Sequence, residues 1–330
     1  MNKYFICGGA GFIGSHFVDE LLSRPDTKKV TIFDNFSSGR RWHYKHHSND
    51  KRLSVIRGDA SDIVGLCHAM RKGTYNSDKN NYDVVIHLAS NPDISKAITN
   101  PTIDFYKGTY LTNNVIEAMR NVGIKRILYA SGSGIYGDGG DTFFKENSQM
   151  DLPISTYGAS KLAGEALINS YCHMFDISAC VFRFANVVGA RQTHGVGYDF
   201  TKRLIKNPKT LQILGDGTQS KSYVYVKDII RAVLLANDNM KSKCETYNVA
   251  TDDSITVTEI ANIVKEILSI TDLKLEYTGG NRGWKGDVPV IRLNNEKIKS
   301  LGWIQSLSSK AAITQSVLDL LPDIKSKRIK

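Results

Sequence analysis

Strands alternate with helices over the first 180 residues of the chain, and this order limits the folds that it can adopt. Short apolar runs predict strands, and longer amphipathic segments predict helices. The predicted strands are 4–7, 30–33, 53–56, 84–88, 126–129 and 179–183, and the predicted helices are about 12–23, 61–72, 102–122 and 157–174. The alternation predicts an α/β fold, a doubly wound parallel sheet with helices on both faces and ligands at the carboxyl ends of its strands.

The pattern changes near residue 186, where the segments become shorter and are separated by glycine and polar residues, as at Gly215 and Gly286. We therefore predict a first domain over 1–185 that carries the sheet, and a smaller α/β domain over 186–330. The chain is expected to cross between the two domains. The polar stretch 72–83 is predicted to be a surface loop before the fourth strand.

Composition and charge exclude several classes of protein. No apolar run of about 18 residues and no signal-like N-terminus occur, so neither membrane insertion nor secretion is expected. The five cysteines include no C-x-x-C pair, which favours reduced thiols in the cytoplasm. The net charge of +10 is spread along the chain without a nucleic-acid-binding motif, so it favours small anionic ligands over nucleic acid. The eight histidines form no H-E-x-x-H motif, and no metal site is expected.

A glycine-rich turn, Gly8-Gly-Ala-Gly-Phe-Ile-Gly14, directly follows the first predicted strand and opens the first predicted helix. Glycines let the backbone turn tightly and approach a pyrophosphate, whose charge the helix N-terminus favours. Asp34 ends the second strand, 20 residues after Gly14. A carboxylate there accepts hydrogen bonds from both ribose hydroxyls and repels a 2′-phosphate, which favours NAD over NADP although Arg40 and Arg41 follow. These features predict a Rossmann-type NAD-binding domain over 1–185.

The segment Tyr157-Gly-Ala-Ser-Lys161 places a phenol and an ammonium four residues apart, on one face of a predicted helix. Tyrosine has a pKa of ~10, and action as a base near neutrality requires ~4 kcal/mol of phenolate stabilisation. A nearby ammonium supplies part of it, and Lys161 is also predicted to hold the nicotinamide ribose. The same spacing occurs at Tyr75/Lys79, Tyr198/Lys202 and Tyr223/Lys227. Only Tyr157 begins a helix after a hydroxyl-bearing strand end, so we predict a catalytic pair here rather than a solvated helix face.

Several ordered motifs resemble the extended short-chain dehydrogenase/reductase family, and within it the UDP-glucose 4-epimerase-like nucleotide-sugar enzymes. They are Gly8–Gly14, Asp34–Gly39, Gly58-Asp59, His87-Leu-Ala89, Tyr157–Lys161 and Arg183-Phe-Ala-Asn186. The resemblance covers nearly the whole chain. It implies NAD-dependent chemistry at C4 of a nucleotide-diphosphate sugar, in carbohydrate metabolism or polysaccharide biosynthesis. It also implies a homodimer formed through helices 102–122 and 157–174.

The resemblance also implies roles for individual residues. Those implied to bind NAD are Gly8, Gly11, Phe12, Ile13, Gly14, Asp34, Asn35, Ser38, Gly39, Asp59, Ala60, Leu88, Ala89, Ser90, Ser131, Tyr157, Lys161, Phe184 and Val187. Those implied to bind the nucleotide sugar are Ser133, Tyr157, Asn186, Gln212, Leu214, Lys221, Tyr223, Arg282 and Asp287. Tyr157, Lys161 and Ser133 are the residues expected to carry the catalysis.

The chain departs from the family's usual pattern at three places. Gly132 stands where a serine or threonine is usual, so Ser133, or else Ser131, is expected to supply the active-site hydroxyl. Lys221 stands where an arginine is usual, and lysine lacks the bidentate fork of arginine. The third departure is the segment Arg282-Gly-Trp-Lys-Gly-Asp287, in which either Arg282 or Lys285 is expected to reach the diphosphate.

The strand end before Tyr136 carries small residues and no acid. Related 4,6-dehydratases have an Asp-Glu pair there that removes water, so elimination is not expected. Hydride transfer remains: Tyr157 removes a hydroxyl proton, NAD takes the hydride, and a 4-keto sugar rotates before it is reduced on the opposite face. We predict a C4 epimerase with tightly held NAD. The alternatives are a C4 dehydrogenase or reductase and a non-catalytic NAD-binding regulatory protein, and the nucleotide and the sugar stay open.

Overall fold

The computed structural model describes residues 2–71, 82–149 and 151–326. The chain divides into two compact units, each built from three segments. The first unit comprises Met1–Ser131, Ala159–Arg183 and Val233–Tyr247, and the second comprises Gly132–Gly158, Phe184–Ala232 and Asn248–Lys330. The division of function between residues 1–185 and 186–330 stays a prediction.

The bounds of the regular elements follow the chain from end to end. The strands are β1 (Asn2–Cys7), β2 (Thr27–Asp34), β3 (Leu53–Arg57), β4 (Val84–His87), β5 (Arg126–Gly132), β6 (Phe143–Phe144), β7 (Ser178–Phe184), β8 (Asn186–Val188), β9 (Thr210–Ile213), β10 (Ser220–Lys221), β11 (Tyr223–Tyr225), β12 (Cys244–Val249), β13 (Ile255–Thr256), β14 (Lys274–Tyr277) and β15 (Arg292–Leu293). The α-helices are α1 (Phe12–Ser23), α2 (Ile63–Arg71), α3 (Leu111–Val122), α4 (Thr156–Met174), α5 (Val196–Lys206), α6 (Val226–Asp238), α7 (Val257–Ile267), α8 (Glu296–Lys299) and α9 (Ser309–Lys325).

Five shorter turns of helix complete the described structure. Four are 3₁₀ helices, at Arg41–His43, Lys45–His47, Ile94–Ile98 and Ser133–Tyr136, and the fifth is a π-helix at Phe105–Tyr110. The π-helix leads directly into α3, so the predicted helix 102–122 is two elements of different winding. Ten residues of the predicted loop 72–83, namely 72–81, lie outside the described residues.

The central sheet confirms the predicted Rossmann-type fold. Its seven strands have the order β12-β7-β5-β4-β1-β2-β3, and β5, β4, β1, β2 and β3 pair in parallel. From β1 the chain first builds outward through β2 and β3, and then continues on the other side of β1 through β4, β5 and β7. The strand order therefore reverses beside β1, and ligands of such sheets bind at the carboxyl ends of the strands at this point.

Helix α4 is held against the sheet by apolar contacts in the core of the first unit. Ile168 and Cys172 of α4 are buried in a cluster with Ile127 and Tyr129 of β5. Gly164 permits the close approach, because a Cβ atom there would lie 2.3 Å from the Tyr129 hydroxyl. The same packing positions the N-terminal part of α4, where Tyr157 and Lys161 lie.

The second unit has its own core around short strand pairs. β8 pairs with β11 and β9 pairs with β14, both in parallel, while β10 and β13 pair antiparallel. Helices α5, α7 and α9 bury one apolar cluster with these strands, to which Leu204, Ile260 and Ile313 belong. None of the helices within the described ranges has the length and apolar character needed to cross a membrane.

We predict that Ile168→Ala destabilises the protein by ~2–5 kcal/mol, because it deletes a fully buried side chain that anchors α4. The control is Ile205→Ala, which removes the same atoms from a side chain on α5 that is 40% exposed and should cost less than about 1 kcal/mol. Urea unfolding followed by circular dichroism measures both. An equal loss in the two variants would contradict the packing described for α4.

Candidate active site

The glycine-rich turn after β1 leaves no room for side chains. Gly8 has φ +86°, and a Cβ atom there would lie 2.8 Å from the backbone nitrogen of Ala89. A Cβ atom at Gly14, in the first turn of α1, would lie 2.3 Å from the Gly8 carbonyl oxygen. Within the described residues no side chain caps the N-terminus of α1 at Gly11. The uncapped amides and the bare backbone suit a pyrophosphate, the group that the sequence predicts at this turn.

Asp34 ends β2, and its side chain binds the backbone of the glycine-rich turn. Its buried carboxylate accepts hydrogen bonds from the amides of Ala10, at 2.9 Å, and Phe36, at 2.8 Å. Burial raises the pKa of Asp34, and the two amides oppose that rise. Each carboxylate oxygen has a further lone pair, so the group can still accept bonds from ribose hydroxyls. Gly39 packs directly against this carboxylate, and Ser38 lies in the same turn.

A second carboxylate, Asp59, follows β3 and faces the same turn. Asn35 Nδ2 donates to it at 2.9 Å, and the Ser61 amide and hydroxyl donate at 2.9 and 2.7 Å. Desolvation opposes ionisation of Asp59, but these hydrogen bonds hold its pKa at about 2. Ala60 is buried beside it. The structure therefore joins Asn35 and Asp59, two residues predicted to border the adenosine.

The residues after β4 pack against the glycine-rich turn. The amides of Leu88 and Ala89 both donate to the carbonyl of Cys7, the last residue of β1, at 2.9 and 3.0 Å. Leu88, Ala89 and Ser90 are all partly exposed. The predicted cofactor residues from Gly8 to Ser90 thus lie at the carboxyl ends of β1, β2, β3 and β4 in the first unit.

Tyr157 and Lys161 lie at the start of α4, one helical turn apart. Lys161 is only 3% exposed, and its Nζ donates to the Ala130 carbonyl of β5 at 2.7 Å and lies 5.2 Å from the centre of the Tyr129 ring. Desolvation lowers the pKa of Lys161 to about 8, while Glu165 and Asp104 oppose the decrease. Tyr157 is half-buried in the second unit, where a Cβ atom on Gly132 would lie 4.0 Å from its ring.

The tyrosine–lysine spacing by itself does not mark the site. On α5, Lys202 donates to the Tyr198 hydroxyl at 3.4 Å, so the same spacing produces a contact elsewhere in the chain. Tyr223 belongs to β11 and Lys227 to α6, so this pair spans two elements. Tyr75 and Lys79 lie outside the described residues.

The two serines at the end of β5 have different surroundings. The Ser131 hydroxyl donates to the carboxylate of Glu165 at 2.5 Å and is buried. Ser133 begins the 3₁₀ helix Ser133–Tyr136 and is partly exposed, and within the described ranges its hydroxyl has no hydrogen-bond partner. Glu165 also binds Arg183 of β7, and sequence reasoning missed this role for both residues. The signal available was the four-residue step from Lys161 to Glu165 on one helix face.

The predicted diphosphate residues of the second unit come together in one ionic cluster. Lys221 Nζ lies 2.5 Å from Asp287 Oδ1, and the Arg282 guanidinium donates to the Asp287 carbonyl at 2.6 Å. Arg282 also pairs with the carboxylate of Asp138, a partner that the sequence analysis did not identify. Lys285, the alternative to Arg282, is exposed.

The remaining predicted substrate and cofactor residues are placed as follows. Asn186 and Val187 begin β8, and Asn186 Nδ2 donates to the Ser222 carbonyl at 3.3 Å. Phe184, the last residue of β7, and Tyr223 are buried, and burial raises the pKa of the Tyr223 phenol. Gln212 and Leu214, at the end of β9, are exposed.

One cluster outside these sites was also missed. The Nε2 atoms of His46 and His47 each lie 2.8 Å from Asp19 Oδ1, which ties the 3₁₀ helix Lys45–His47 to α1. Imidazole and carboxylate are metal-ligand chemistry, although the same atoms satisfy one another here through hydrogen bonds. The absence of a metal site stays a prediction.

We predict that Gly14→Ala removes most of the bound NAD, because the added methyl group collides with the Gly8 carbonyl and pushes the turn out of shape. The measure is the amount of NAD released per chain when the purified protein is denatured. Gly197→Ala is the control, since that helical position on α5 leaves 3.8 Å to the nearest side chain. Full NAD content in Gly14→Ala, with an unchanged circular dichroism spectrum, would contradict the assignment.

The comparisons with known proteins agree with this geometry. A sequence model of the NAD dependent epimerase/dehydratase family matches residues 4–250. A putative UDP-glucose 4-epimerase of Methanocaldococcus jannaschii is 31% identical over 317 residues, which cover 94% of this chain and 96% of that protein. A solved UDP-galactose 4-epimerase is 33% identical with a TM-score of 0.83, over 97% of this chain and 99% of that one. A UDP-glucose 4-epimerase of Thermotoga maritima, solved with UDP-glucose, is 27% identical with a TM-score of 0.85, over 98% and 99%. The chain therefore belongs to the NAD dependent epimerase/dehydratase family, as an enzyme whose cofactor is NAD.

Proposed function

We propose that this enzyme inverts C4 of a nucleotide-diphosphate sugar, as a UDP-glucose 4-epimerase does, through a transient 4-keto sugar. The observation that carries the proposal is the pairing of Tyr157 and Lys161 at the start of α4, beside a strand end without a carboxylate. The likeness to proteins named as UDP-glucose and UDP-galactose 4-epimerases supports it.

Tyr157 is the proposed base that removes the proton of the sugar hydroxyl. Lys161 stabilises the phenolate, and its ammonium is held in place by the Ala130 carbonyl. NAD, which the turn Gly8–Gly14, Asp34 and Lys161 would hold, would supply the hydride chemistry at this carbon. Rotation of the keto sugar between the two transfers gives the inverted alcohol, and Tyr157 returns its proton.

The surroundings of two carboxylates, Asp138 after the strand end and Glu165 on α4, support epimerisation over water elimination. Asp138 pairs with Arg282, and Glu165 pairs with Arg183. Each of these carboxylates is thus already occupied by a guanidinium. Elimination needs an acid that delivers a proton to the leaving hydroxyl, and neither of these two groups suits that role.

Ser133 is the proposed partner of the sugar hydroxyl. Because the Ser131 hydroxyl is bound to Glu165, it is less suited to bridge the substrate and Tyr157. Gly132 leaves space beside the Tyr157 ring, since even its added Cβ would be 4.0 Å away. A rotating hexose needs such space, and this supports the epimerase over an enzyme with a fixed sugar.

The proposed cofactor contacts follow from the first unit. The turn Gly8–Gly14 takes the pyrophosphate, Asp34 with Asn35, Ser38 and Gly39 takes the adenosine ribose, and Asp59 with Ala60 borders the adenine. Leu88, Ala89 and Ser90 contact the middle of NAD, and Lys161 holds the nicotinamide ribose. Ser131, Phe184 and Val187 are proposed to lie near the nicotinamide.

The proposed substrate contacts belong to the second unit. Lys221 and Arg282 neutralise the diphosphate, and Asp287, which binds both of them, sets their positions. Asn186, Gln212, Leu214 and Tyr223 are proposed to contact the nucleotide or the sugar.

We also propose a homodimer and a cytoplasmic location. Phe105 and Tyr106 of the π-helix and Met174 of α4 are exposed by more than half of their surface, which supports a contact through helices 102–122 and 157–174. All five cysteines are free thiols, which supports a reducing compartment.

Proton NMR tests the reaction directly. We predict that the purified protein, mixed with a panel of UDP- and GDP-sugars without added NAD, forms the C4-inverted sugar of at least one. Tyr157→Phe should lower the rate by about 10²- to 10⁴-fold, because it removes the general base. Tyr198→Phe, which alters the same spacing on α5, is the matched control and should leave the rate unchanged.

Other outcomes of this experiment have distinct meanings. A keto product that forms only when NAD is supplied would make the enzyme a C4 dehydrogenase. Loss of water from the sugar would make it a dehydratase. Full activity in Tyr157→Phe would remove the proposed base.

We predict that Arg282→Ala raises KM for the nucleotide sugar by about 10-fold or more, because a hydrogen bond to a charged group contributes ~1.5–3 kcal/mol. Lys285→Ala is the control, since that side chain is exposed. Initial rates over a range of substrate concentrations measure both. A larger effect in Lys285→Ala would assign the diphosphate contact to Lys285 instead.

A further inference from the structure

A buried carboxylate lies directly behind the proposed catalytic pair, in the first unit. Glu165 follows Lys161 by four residues on α4, so the two side chains share a helix face. Its carboxylate accepts a hydrogen bond from Ser131 of β5 at 2.5 Å, and from Arg183 Nε and Nη2 of β7 at 3.2 and 2.8 Å. All three side chains are buried. Glu165 thus joins α4 to the ends of two strands.

Lys161 and Glu165 hold neighbouring residues of the same strand. Lys161 Nζ donates to the carbonyl of Ala130, and the next residue, Ser131, donates to Glu165. Two side chains one turn apart on α4 therefore bind two consecutive residues of β5. Displacement of Ser131 would move the carbonyl that holds the ammonium.

Lys161 lies among titratable groups from four parts of the first unit. They are Glu165 of α4, Asp104 before the π-helix, His87 of β4 and Tyr129 of β5. Desolvation and the nearby Lys161 lower the pKa of His87 to about 3, so its imidazole is neutral. Two carboxylates, Glu165 and Asp104, therefore act on Lys161, and Glu165 is bound in turn to Arg183.

We propose that Glu165 is a positioning residue, which keeps the Lys161 ammonium charged and aligned through its bonds to Ser131 and Arg183. The inference rests on the proposed catalytic role of Lys161. Without the carboxylate, Lys161 lacks a nearby negative charge and loses its proton more readily. Ser131 loses its acceptor at the same time, so the peptide that holds Lys161 is less restrained.

The pH profile of the rate separates this role from simple loss of structure. Activity should fall as pH rises through the pKa of Lys161, because the neutral amine no longer stabilises the phenolate. We predict that Glu165→Gln moves this alkaline limb of kcat to lower pH by about 1 pH unit or more, since an opposite charge has been removed. KM for the sugar should change little, because Glu165 is not proposed to touch it.

Arg183→Gln provides a test of opposite sign. It removes the cation that pairs with Glu165, so the Glu165 charge acts more strongly on Lys161 and the alkaline limb should move to higher pH. Glu165→Asp keeps the charge and should restore most of the wild-type profile, whereas Ser131→Ala should lower kcat without moving the limb. Glu117→Gln on α3, which breaks an ion pair with Arg120 away from Lys161, is the control and should leave the profile unchanged.

Carbon NMR of the Lys161 side chain in the NAD-bound protein measures the titration of its amine without turnover. The Lys161→Met variant assigns the signal.

If no sugar reacts, the proposed function fails, while a lower titration pH in Glu165→Gln still supports the positioning role. If the wild type is active and neither Glu165→Gln nor Arg183→Gln moves the limb or the titration, the positioning role is wrong. If Glu165→Gln does not fold, the direction of the Arg183→Gln change decides the question.

Discussion

Burial of the Lys161 ammonium is the constraint on which the arrangement around the proposed active site depends. A charge removed from water is costly unless fixed partners replace its hydration. Here the partners are the Ala130 carbonyl at 2.7 Å and the carboxylates of Glu165 and Asp104. Each partner comes from a different part of the first unit, so one charge links α4, β5 and the segment before the π-helix. The second buried cation, Arg183, adds β7 to the same set.

The residues predicted to form the site are distributed over both units. The first unit supplies the glycine-rich turn, the two carboxylates beside it and Lys161, whereas the second supplies Tyr157, Ser133 and the cluster of Lys221, Arg282 and Asp287. In the second unit, Lys221 and Arg282 are already paired with carboxylates. Such pairs fix the direction of long side chains, and an arriving phosphate must compete with a carboxylate for the same donors.

Much of the fold and part of the site could be predicted from local patterns. The helix over 12–23 has the predicted bounds, and the strands around 30–33 and 126–129 extend the predicted runs. The spacing of Tyr157 and Lys161 predicts a site only in its context, because Tyr198 and Lys202 have the same spacing on α5. The segment predicted to be helical over 102–122 is a π-helix followed by an α-helix, and periodicity does not separate the two.

The sequence by itself determined the order of strands and helices, the glycine-rich turn, the carboxylate at the end of β2 and the tyrosine–lysine pair, because each depends on neighbours within a few residues or on the regular β-α-β order. Only the tertiary structure decided that Ser131 binds Glu165, that Arg282 binds Asp138, and that Lys221 binds Asp287. These partners are 34, 144 and 66 residues apart in the chain. The packing of helices on strands determines which buried charged groups come into contact. Local sequence periodicity does not predict these contacts.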